Sequence, residues 1–251
     1  MKKIAFIPAR YAATRFHGKL MQILGGKSII RHTYENTAAT LLFDDVIVVT
    51  DSNIIFDEIV TNGGHAVMSK KEHESGSDRI AEAVADLEVD LVVNVQGDEP
   101  FVKKSLLENL LQVFEGDDNK ETEVASLMYP IVNEQIINNP NHVKVVVDQN
   151  NSALLFSRSV IPYHRDKNIA ARYYKHIGIY AFRKNALMKF TCMEPTPLEK
   201  IEKLEQLRYL ENGIKIKMVL TDESPVSIDT PEDFENAKKL IALFYSGSFY
   251  L

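Results

Sequence analysis

The sequence is poor in cysteine and has no long apolar run. Cys192 is its only cysteine, which excludes a disulfide within the chain and a zinc site made of several cysteines. No window reaches the roughly 18 apolar residues that a membrane-spanning helix needs. Lys2 and Lys3 precede only four apolar residues before Pro8, too few for the apolar region of an export signal. These absences predict a cytoplasmic protein with no membrane partner.

An excess of positive charge is also absent. The chain has 29 Lys and Arg residues against 35 Asp and Glu residues, a net charge of −6. This balance argues against a general nucleic-acid-binding surface. With 45% apolar and 25% charged residues, the 251 residues are typical of a globular protein. We therefore expect a single domain over 1–251 and a small-molecule partner.

Three common active-site motifs are missing. No G-x-G-x-x-G string occurs, and the G-K-S string at 26–28 has Met21 where a P-loop needs its first glycine. The G-S pairs at 76 and 247 lack the G-x-S-x-G pattern of a hydrolase nucleophile. These motifs therefore give no support to a dinucleotide-binding, P-loop or α/β-hydrolase enzyme.

Apolar β-branched runs alternate with segments of helical period, which is typical of an α/β fold with a mostly parallel central sheet. The first hundred residues predict strands at 3–7, 45–50, 65–68 and 90–95. The intervening helices are expected to begin near Ser28, Ser52 and Ser77, each of which can cap a helix.

The rest of the chain predicts a less regular arrangement. After a helix near 105–115, turn signals separate strands at 124–130, 143–147, 153–157 and 174–182, which predicts a mixed-sheet insertion. Thr196, Pro197 and Glu199 predict the start of a helix that ends at Gly213. A strand at 214–220 and a helix from 231 to about 245 complete the prediction.

Three cationic residues follow the first strand. Arg10, Arg15 and Lys19 come at the carboxyl end of that strand, where α/β folds bind ligands. This position indicates a site for phosphates. The alternative is a solvated basic loop.

Two aspartates lie at comparable positions later in the chain. Asp98 follows the fourth strand, and Asp229 lies between a late strand and a helix. Mg²⁺ takes one or two carboxylates together with phosphate oxygens and water, so the pair suits a metal-nucleotide site. Asp98 could instead belong to a turn, and Asp229 could cap the following helix.

Five strings in order resemble the 3-deoxy-manno-octulosonate cytidylyltransferases, also called CMP-KDO synthetases. They are I-P-A-R at 7–10, N-V-Q-G-D-E-P at 94–100, F-S-R-S at 156–159, Y-K-H-I-G-I-Y at 174–180 and L-E-Q-L at 204–207. The resemblance extends from residue 3 to about 240 and implies a Rossmann-like nucleotide-diphospho-sugar transferase fold. It implies transfer of CMP from CTP to 3-deoxy-D-manno-octulosonate (KDO), with release of pyrophosphate, for lipopolysaccharide assembly. It also implies a homodimer in which 120–190 contributes to the sugar site and the dimer contact.

The resemblance assigns roles to the residues around the nucleotide. Arg10, Arg15 and Lys19 would bind the triphosphate, and Asp98 and Asp229 would ligate Mg²⁺. Nucleotide contacts are further implied for Ser75, Ser77, Arg79 and Gln96. As alternatives, Ser77 could only cap a helix, Arg79 could be a surface charge, and Gln96 could bond only to neighbouring backbone.

The resemblance also implies a site for the sugar acid. A cation for its carboxylate and polar groups for its hydroxyls would come from Arg158, His176, Tyr180, Glu205 and Gln206. His176 and Tyr180 are four apart on one strand and should share a face. They could instead be partly buried strand residues, and Glu205 could pair with Arg208 or Tyr209.

The chain departs from the family at His17 and Leu20, where members often have proline. The phosphate loop should therefore be less rigid. The aromatic residues at 244–251 are expected to pack onto the domain or a partner. A nucleotide-binding protein without activity and a cytidylyltransferase for another sugar acid are rival functions. The presence of Asp98 and Asp229 argues against the first.

Overall fold

The computed structural model describes residues 1–12, 16–73, 75–223 and 226–245, with side chains as far as Ile241. The chain divides into two compact units, Met1–Lys104 with Pro225–Leu251, and Ser105–Ser224. The expectation of one domain over 1–251 stays a prediction. The expected packing of the aromatic residues at 244–251 lies outside the described side chains.

The first unit has four parallel strands in the order β6-β1-β4-β5. These strands are β1 (Lys3–Ala9), β4 (Asp45–Thr50), β5 (His65–Met68) and β6 (Leu91–Asn94), and a hairpin is formed by β2 (Ile23–Leu24) and β3 (Lys27–Ser28). The helices of this unit are α1 (Ile29–Ala39), α2 (Asn53–Thr61), α3 (Gly76–Val84) and α9 (Pro231–Tyr245). The strands expected at 3–7, 45–50, 65–68 and 90–95 are confirmed to within two residues at each end.

Two of the three expected serine caps are at helix starts, but only one of them bonds through its side chain. Ser28 caps α1 by accepting a hydrogen bond from the Arg31 amide. Ser52 precedes α2 without a side-chain cap bond. The third helix begins at Gly76, near Ser77 as expected, but its cap is Ser75, which accepts from the Asp78 amide, rather than Ser77.

The second unit contains a mixed sheet, as expected for the insertion. Its strands are β7 (Val124–Ile131), β8 (Lys144–Val147), β9 (Ala153–Ser157), β10 (Tyr173–Arg183) and β11 (Ile216–Leu220). β11 runs parallel to β7, whereas β7–β10, β10–β8 and β8–β9 are antiparallel pairs. The helices are α4 (Lys104–Gln112), which begins at the boundary, α5 (Glu134–Asn138), α6 (Lys184–Thr191), α7 (Pro197–Glu202) and α8 (Leu207–Glu211).

The predicted helix from Thr196 to Gly213 is divided in two. Its start is confirmed, because Thr196 and Glu199 form a capping box. Lys203 is left-handed, with φ 54°, and ends α7. The turn that follows buries Leu204, whereas no residue of α7 is buried. Burial of the chain after Lys203 thus accounts for a break that local propensity did not predict.

Every helix in the described part of the chain falls short of the length and apolar content needed to cross a bilayer.

Candidate active site

The turn that carries Asp98 begins beside the end of β1. β1 and β6 are parallel neighbours, with Phe6 opposite Asn94, so their carboxyl ends lie at the same edge of the sheet. Gly97 is packed closely there: a Cβ atom on it would lie 3.2 Å from the Pro8 carbonyl oxygen. The Gly97 carbonyl accepts a 2.9 Å hydrogen bond from Thr33 of α1. These contacts fix the backbone from which Asp98 projects.

Lys19 lies between the two aspartates singled out in the sequence. Its ammonium is 2.5 Å from Asp98 Oδ2 and 3.5 Å from Asp229 Oδ1. The side chains of Lys19 and Asp98 are only 12% and 21% exposed, and that of Asp229 is 48% exposed. The structure therefore brings together one cation from the basic loop and both carboxylates.

The backbone at Asp229 is held by two sets of hydrogen bonds. The Ile228 amide donates to the Asp98 carbonyl at 3.0 Å, which joins the two aspartate-bearing segments. Asp233 Oδ2 accepts from the amides of Asp229 and Thr230, while Thr230 Oγ1 accepts from the Asp233 amide. Thr230, rather than Asp229, is therefore the cap of α9, and the cap alternative for Asp229 was wrong.

Burial and the two neighbouring charges shift the pKa of Asp98 in opposing directions. Burial raises the pKa of Asp98; the charge of Lys19 opposes this shift, and the negative charge of Asp229 adds to it. In the contacts described, two carboxylates face one ammonium. No described group of three or more His, Cys, Asp or Glu side chains could hold a metal ion. Two carboxylates are nevertheless the protein ligands that Mg²⁺ commonly takes alongside phosphate oxygens and water.

The N-terminus of α3 lies close to the same edge. A Cβ atom on Gly76 would be 3.2 Å from Pro8 Cγ and 4.0 Å from Gln96 Nε2. Ser75 is half-buried as the helix cap, and Ser77 is buried in the first turn. Gln96 donates to Asn94 Oδ1 at 3.0 Å, a bond to a side chain rather than to backbone. The first turn of α3 and Gln96 thus lie beside the end of β1.

Arg79 is buried rather than a surface charge. It is 3% exposed, and its guanidinium donates to Asp51 at 2.6 Å and to Ser69 at 2.8 Å. Asp51 directly follows β4, so this ion pair ties α3 to the sheet edge. The arrangement favours a role in holding α3 over direct contact with a nucleotide.

Of the two remaining cations of the basic loop, the structure describes Arg10 alone. Arg10 is exposed, directly after β1. Arg15 lies outside the described residues. Leu20 is buried in a short 3₁₀ turn, Lys19–Met21, which begins after left-handed Gly18. The expected lower rigidity from His17 and Leu20 stays a prediction.

Arg158 directly follows β9 in the second unit and bonds to backbone carbonyls. Its Nε donates to the Glu202 carbonyl at 2.7 Å, and Nη1 donates to the Pro140 carbonyl at 3.1 Å. Glu202 also accepts from the Arg158 amide at 3.0 Å through its carboxylate. The guanidinium is therefore oriented by neutral acceptors, which leave its positive charge in place.

His176 and Tyr180 share a face of β10, with ring centroids 5.3 Å apart. A bulge between Ile177 and Tyr180 adds two residues to β10, which preserves the alternation of side chains. Both residues are buried, as the alternative interpretation allowed. Burial, and then the charge of Lys175, lower the pKa of His176 to about 3. Burial, and then the charge of Glu205, raise the pKa of Tyr180 well above its ordinary value.

Glu205 and Gln206 lie in the turn between α7 and α8, not within a helix as expected. Gln206 is buried and immediately precedes α8. Arg208, a suggested partner of Glu205, forms an ion pair with Glu199 at 2.5 Å. The charge of Glu205 contributes to the raised pKa of Tyr180, so these two side chains lie close enough to interact electrostatically.

Several supporting residues were not singled out in the sequence. Asp233 had a signal, because T-P-E-D at 230–233 has capping-box spacing. Asp51 had a weaker one, since it follows a strand adjacent to β1. No local sequence pattern pointed to Lys144 or Glu202, which contact Arg158, because their roles depend on contacts between distant segments.

Comparisons with known proteins identify the family. The family model described as cytidylyltransferase matches residues 4–216. The 3-deoxy-manno-octulosonate cytidylyltransferase of Flavobacterium johnsoniae is 64% identical over 96% of this chain and 99% of its own. That of Christiangramia forsetii is 57% identical over 95% and 96% of the two chains. A solved structure of CMP:2-keto-3-deoxy-manno-octonic acid synthetase complexed with CTP matches with TM-score 0.91 and 37% identity, covering 97% of this chain and 100% of its own. This agreement confirms the α/β nucleotidyltransferase fold, and the chain belongs to the 3-deoxy-manno-octulosonate cytidylyltransferase family.

Proposed function

We propose that this protein transfers the CMP moiety of CTP to KDO, forming CMP-KDO and pyrophosphate for lipopolysaccharide synthesis. The observation that carries the proposal is the convergence of Lys19, Asp98 and Asp229 beside the ends of β1 and β6. The names of the relatives support the sugar acid, and the CTP in the matched solved structure supports the nucleotide.

In the proposed reaction the anomeric hydroxyl oxygen of KDO bonds to the α-phosphorus of CTP. The bond from that phosphorus to the bridging oxygen of the β-phosphate breaks, pyrophosphate leaves, and the hydroxyl loses its proton. Arg10, Arg15 and Lys19 bind the triphosphate and stabilise charge on the leaving group. Ser75, Ser77 and Gln96 hold the nucleotide beside α3, and Arg79 holds α3 through Asp51.

Asp98 and Asp229 would hold Mg²⁺. The two carboxylates fit a divalent cation because both lie within 4 Å of one ammonium and supply the oxygen ligands that Mg²⁺ prefers. When bound, the ion supplies a Lewis acid that lowers the pKa of the attacking hydroxyl. The ion's other ligands are expected to be phosphate oxygens and water.

The second unit would bind the sugar acid. Arg158 pairs with its carboxylate, and the remaining polar contacts come from His176, Tyr180, Glu205 and Gln206. His176 stays neutral in this role because burial holds its pKa far below 7. The proposal also includes a homodimer and a cytoplasmic location, which are supported by the family resemblance and by the sequence pattern.

Pyrophosphate release from the purified protein tests the function. Each nucleoside triphosphate is supplied in turn with Mg²⁺ and with KDO, sialic acid or no sugar. We expect release only with CTP and KDO. Release with CTP and sialic acid would overturn the sugar assignment, and no release under any condition would favour a binding protein without activity.

A pair of aspartate variants tests the site. Asp98→Asn should abolish turnover while the protein stays folded, because the amide removes one of two charges available to a divalent cation. Asp86→Asn, an exposed position near the end of α3, is the matched control and should retain activity. Full activity of Asp98→Asn would remove Asp98 from the metal site.

A further inference from the structure

Lys144, at the start of β8, is a fully buried lysine whose ammonium bonds only to backbone in the hydrogen bonds described for it. It is 0% exposed. Nζ donates to the carbonyls of Asn139 at 3.1 Å, His142 at 2.7 Å and Arg158 at 2.6 Å. An ammonium has three donors, so these bonds use all of them. Burying a charge in this way is costly, which calls for a reason beyond packing.

The three carbonyls belong to the two segments that orient Arg158. Asn139 and His142 flank Pro140, whose carbonyl accepts from the Arg158 guanidinium at 3.1 Å. The third carbonyl is that of Arg158 itself. One ammonium therefore holds both the backbone of Arg158 and the loop that its guanidinium contacts.

Glu202 forms further hydrogen bonds with Arg158 and with the preceding residue, Ser157. Its carboxylate accepts from the Arg158 amide at 3.0 Å and from Ser157 Oγ at 2.6 Å. Its carbonyl accepts from Arg158 Nε at 2.7 Å. The Arg158 amide is thus bound to Glu202, while the Arg158 carbonyl is bound to Lys144. These contacts leave little freedom in the backbone or at Nε.

We propose that Lys144 is a positioning residue for sugar-acid binding, acting by fixing the backbone and guanidinium of Arg158. The inference rests on the proposed function, in which Arg158 pairs with the carboxylate of KDO. A bidentate pairing of guanidinium and carboxylate depends on orientation, so a loosened Arg158 loses affinity even though its charge remains. Lys144 itself does not contact the substrate in this proposal.

A double-mutant cycle tests the inference, with KM for KDO and KM for CTP measured separately. Lys144→Met keeps the length of the side chain but removes the three donors, and should raise KM for KDO about tenfold, with KM for CTP unchanged. In an Arg158→Gln background the same substitution should raise KM for KDO no further, because the residue it positions is gone. Lys217→Met, which also removes an ammonium bonded to a backbone carbonyl in this unit, is the matched control and should change neither constant.

Three results would overturn the inference. These are an unchanged KM for KDO in Lys144→Met, an equal rise in both backgrounds, or a parallel rise in KM for CTP. Lys144→Gln retains two donors and provides a second variant if the first fails to fold; unfolding of both would assign Lys144 to stability alone. If Arg158→Gln leaves KM for KDO unchanged, the role of Arg158 fails and this inference fails with it. Absence of any CTP- and KDO-dependent activity in the unmodified protein would instead refute the proposed function.

Discussion

The buried histidine of β10 makes a quantitative prediction about stability. His176 is 9% exposed, and its Nε2 lies 3.1 Å from Ser126 Oγ. The charge of Lys175 acts on His176, and the neighbouring ring of Tyr180 is in turn influenced by Glu205 and Tyr209. Burial and the charge of Lys175 lower the pKa of His176 from 6.5 to about 3. The folded protein therefore keeps a neutral imidazole at mildly acidic pH, where the unfolded chain has a protonated one.

The sign of the effect follows from proton binding. The contribution of His176 to stability is complete above pH 6.5 and is lost as the pH falls from 6.5 towards 3, because only the unfolded state takes up the proton in that range. At about pH 4.5, two pH units below the ordinary pKa, the loss amounts to about 3 kcal/mol. This is a large share of the roughly 5–15 kcal/mol stability of a typical domain.

Guanidinium unfolding at about pH 7 and about pH 4.5 measures this effect. Between these two pH values the free energy of unfolding of His176→Phe should fall by about 3 kcal/mol less than that of the unmodified protein, since the variant has no imidazole to protonate. Ser126→Ala removes the hydrogen-bonding partner but keeps the histidine, so its pH dependence should resemble that of the unmodified protein. Equal losses for His176→Phe and the unmodified protein would refute the assignment of a depressed pKa.

Three further predictions concern the first unit. Lys19→Met should bind Mn²⁺ about tenfold more tightly than the unmodified protein without nucleotide, as measured by calorimetry, because the ammonium that pairs with Asp98 and Asp229 is gone. Lys27→Met, which breaks a 2.5 Å pair with Glu35, is the control. An unchanged Mn²⁺ affinity of Lys19→Met would contradict the reasoning. Arg79→Met should lower the free energy of unfolding by about 2–4 kcal/mol, because it leaves Asp51 without its partner, and Asp51→Asn should restore part of that loss; no restoration would refute the pairing. Gly97→Ala should lower kcat, since its Cβ must move the backbone next to Asp98, and an unchanged kcat would show that the turn adapts.

The parallel strands of the first unit and the cluster at Lys19 could be predicted from rules that apply to the sequence itself. Parallel strands of this kind are apolar on both faces, and their carboxyl ends meet at one edge. Polar residues in the loops that follow such strands are therefore expected together, as found for Asp98 and Lys19. The start of α7 was also predictable, because a capping box is a local pattern.

Features that depend on distant contacts were not predictable. Nothing in the sequence near Lys203 indicates that this residue has a left-handed backbone conformation. The helix ends there, and the following Leu204 is buried. From its position in the helix, Arg79 could be a surface charge. Its burial depends on Asp51, which lies 28 residues earlier in the chain and pairs with it in the folded structure. The burial of Lys144 depends in the same way on a carbonyl 14 residues away.

The partners of Lys19 differ from those of Lys144 and Arg158. Lys19 lies against two carboxylates, whose oxygens are ligands of the kind that a divalent cation takes. Lys144 and Arg158 bond mainly to neutral carbonyls, with Glu202 as the one carboxylate described in contact with Arg158. Carbonyls orient a cation without cancelling its charge. A cation held in this way is suited to the carboxylate of a sugar acid, which is the opposite requirement to that of the site at Lys19.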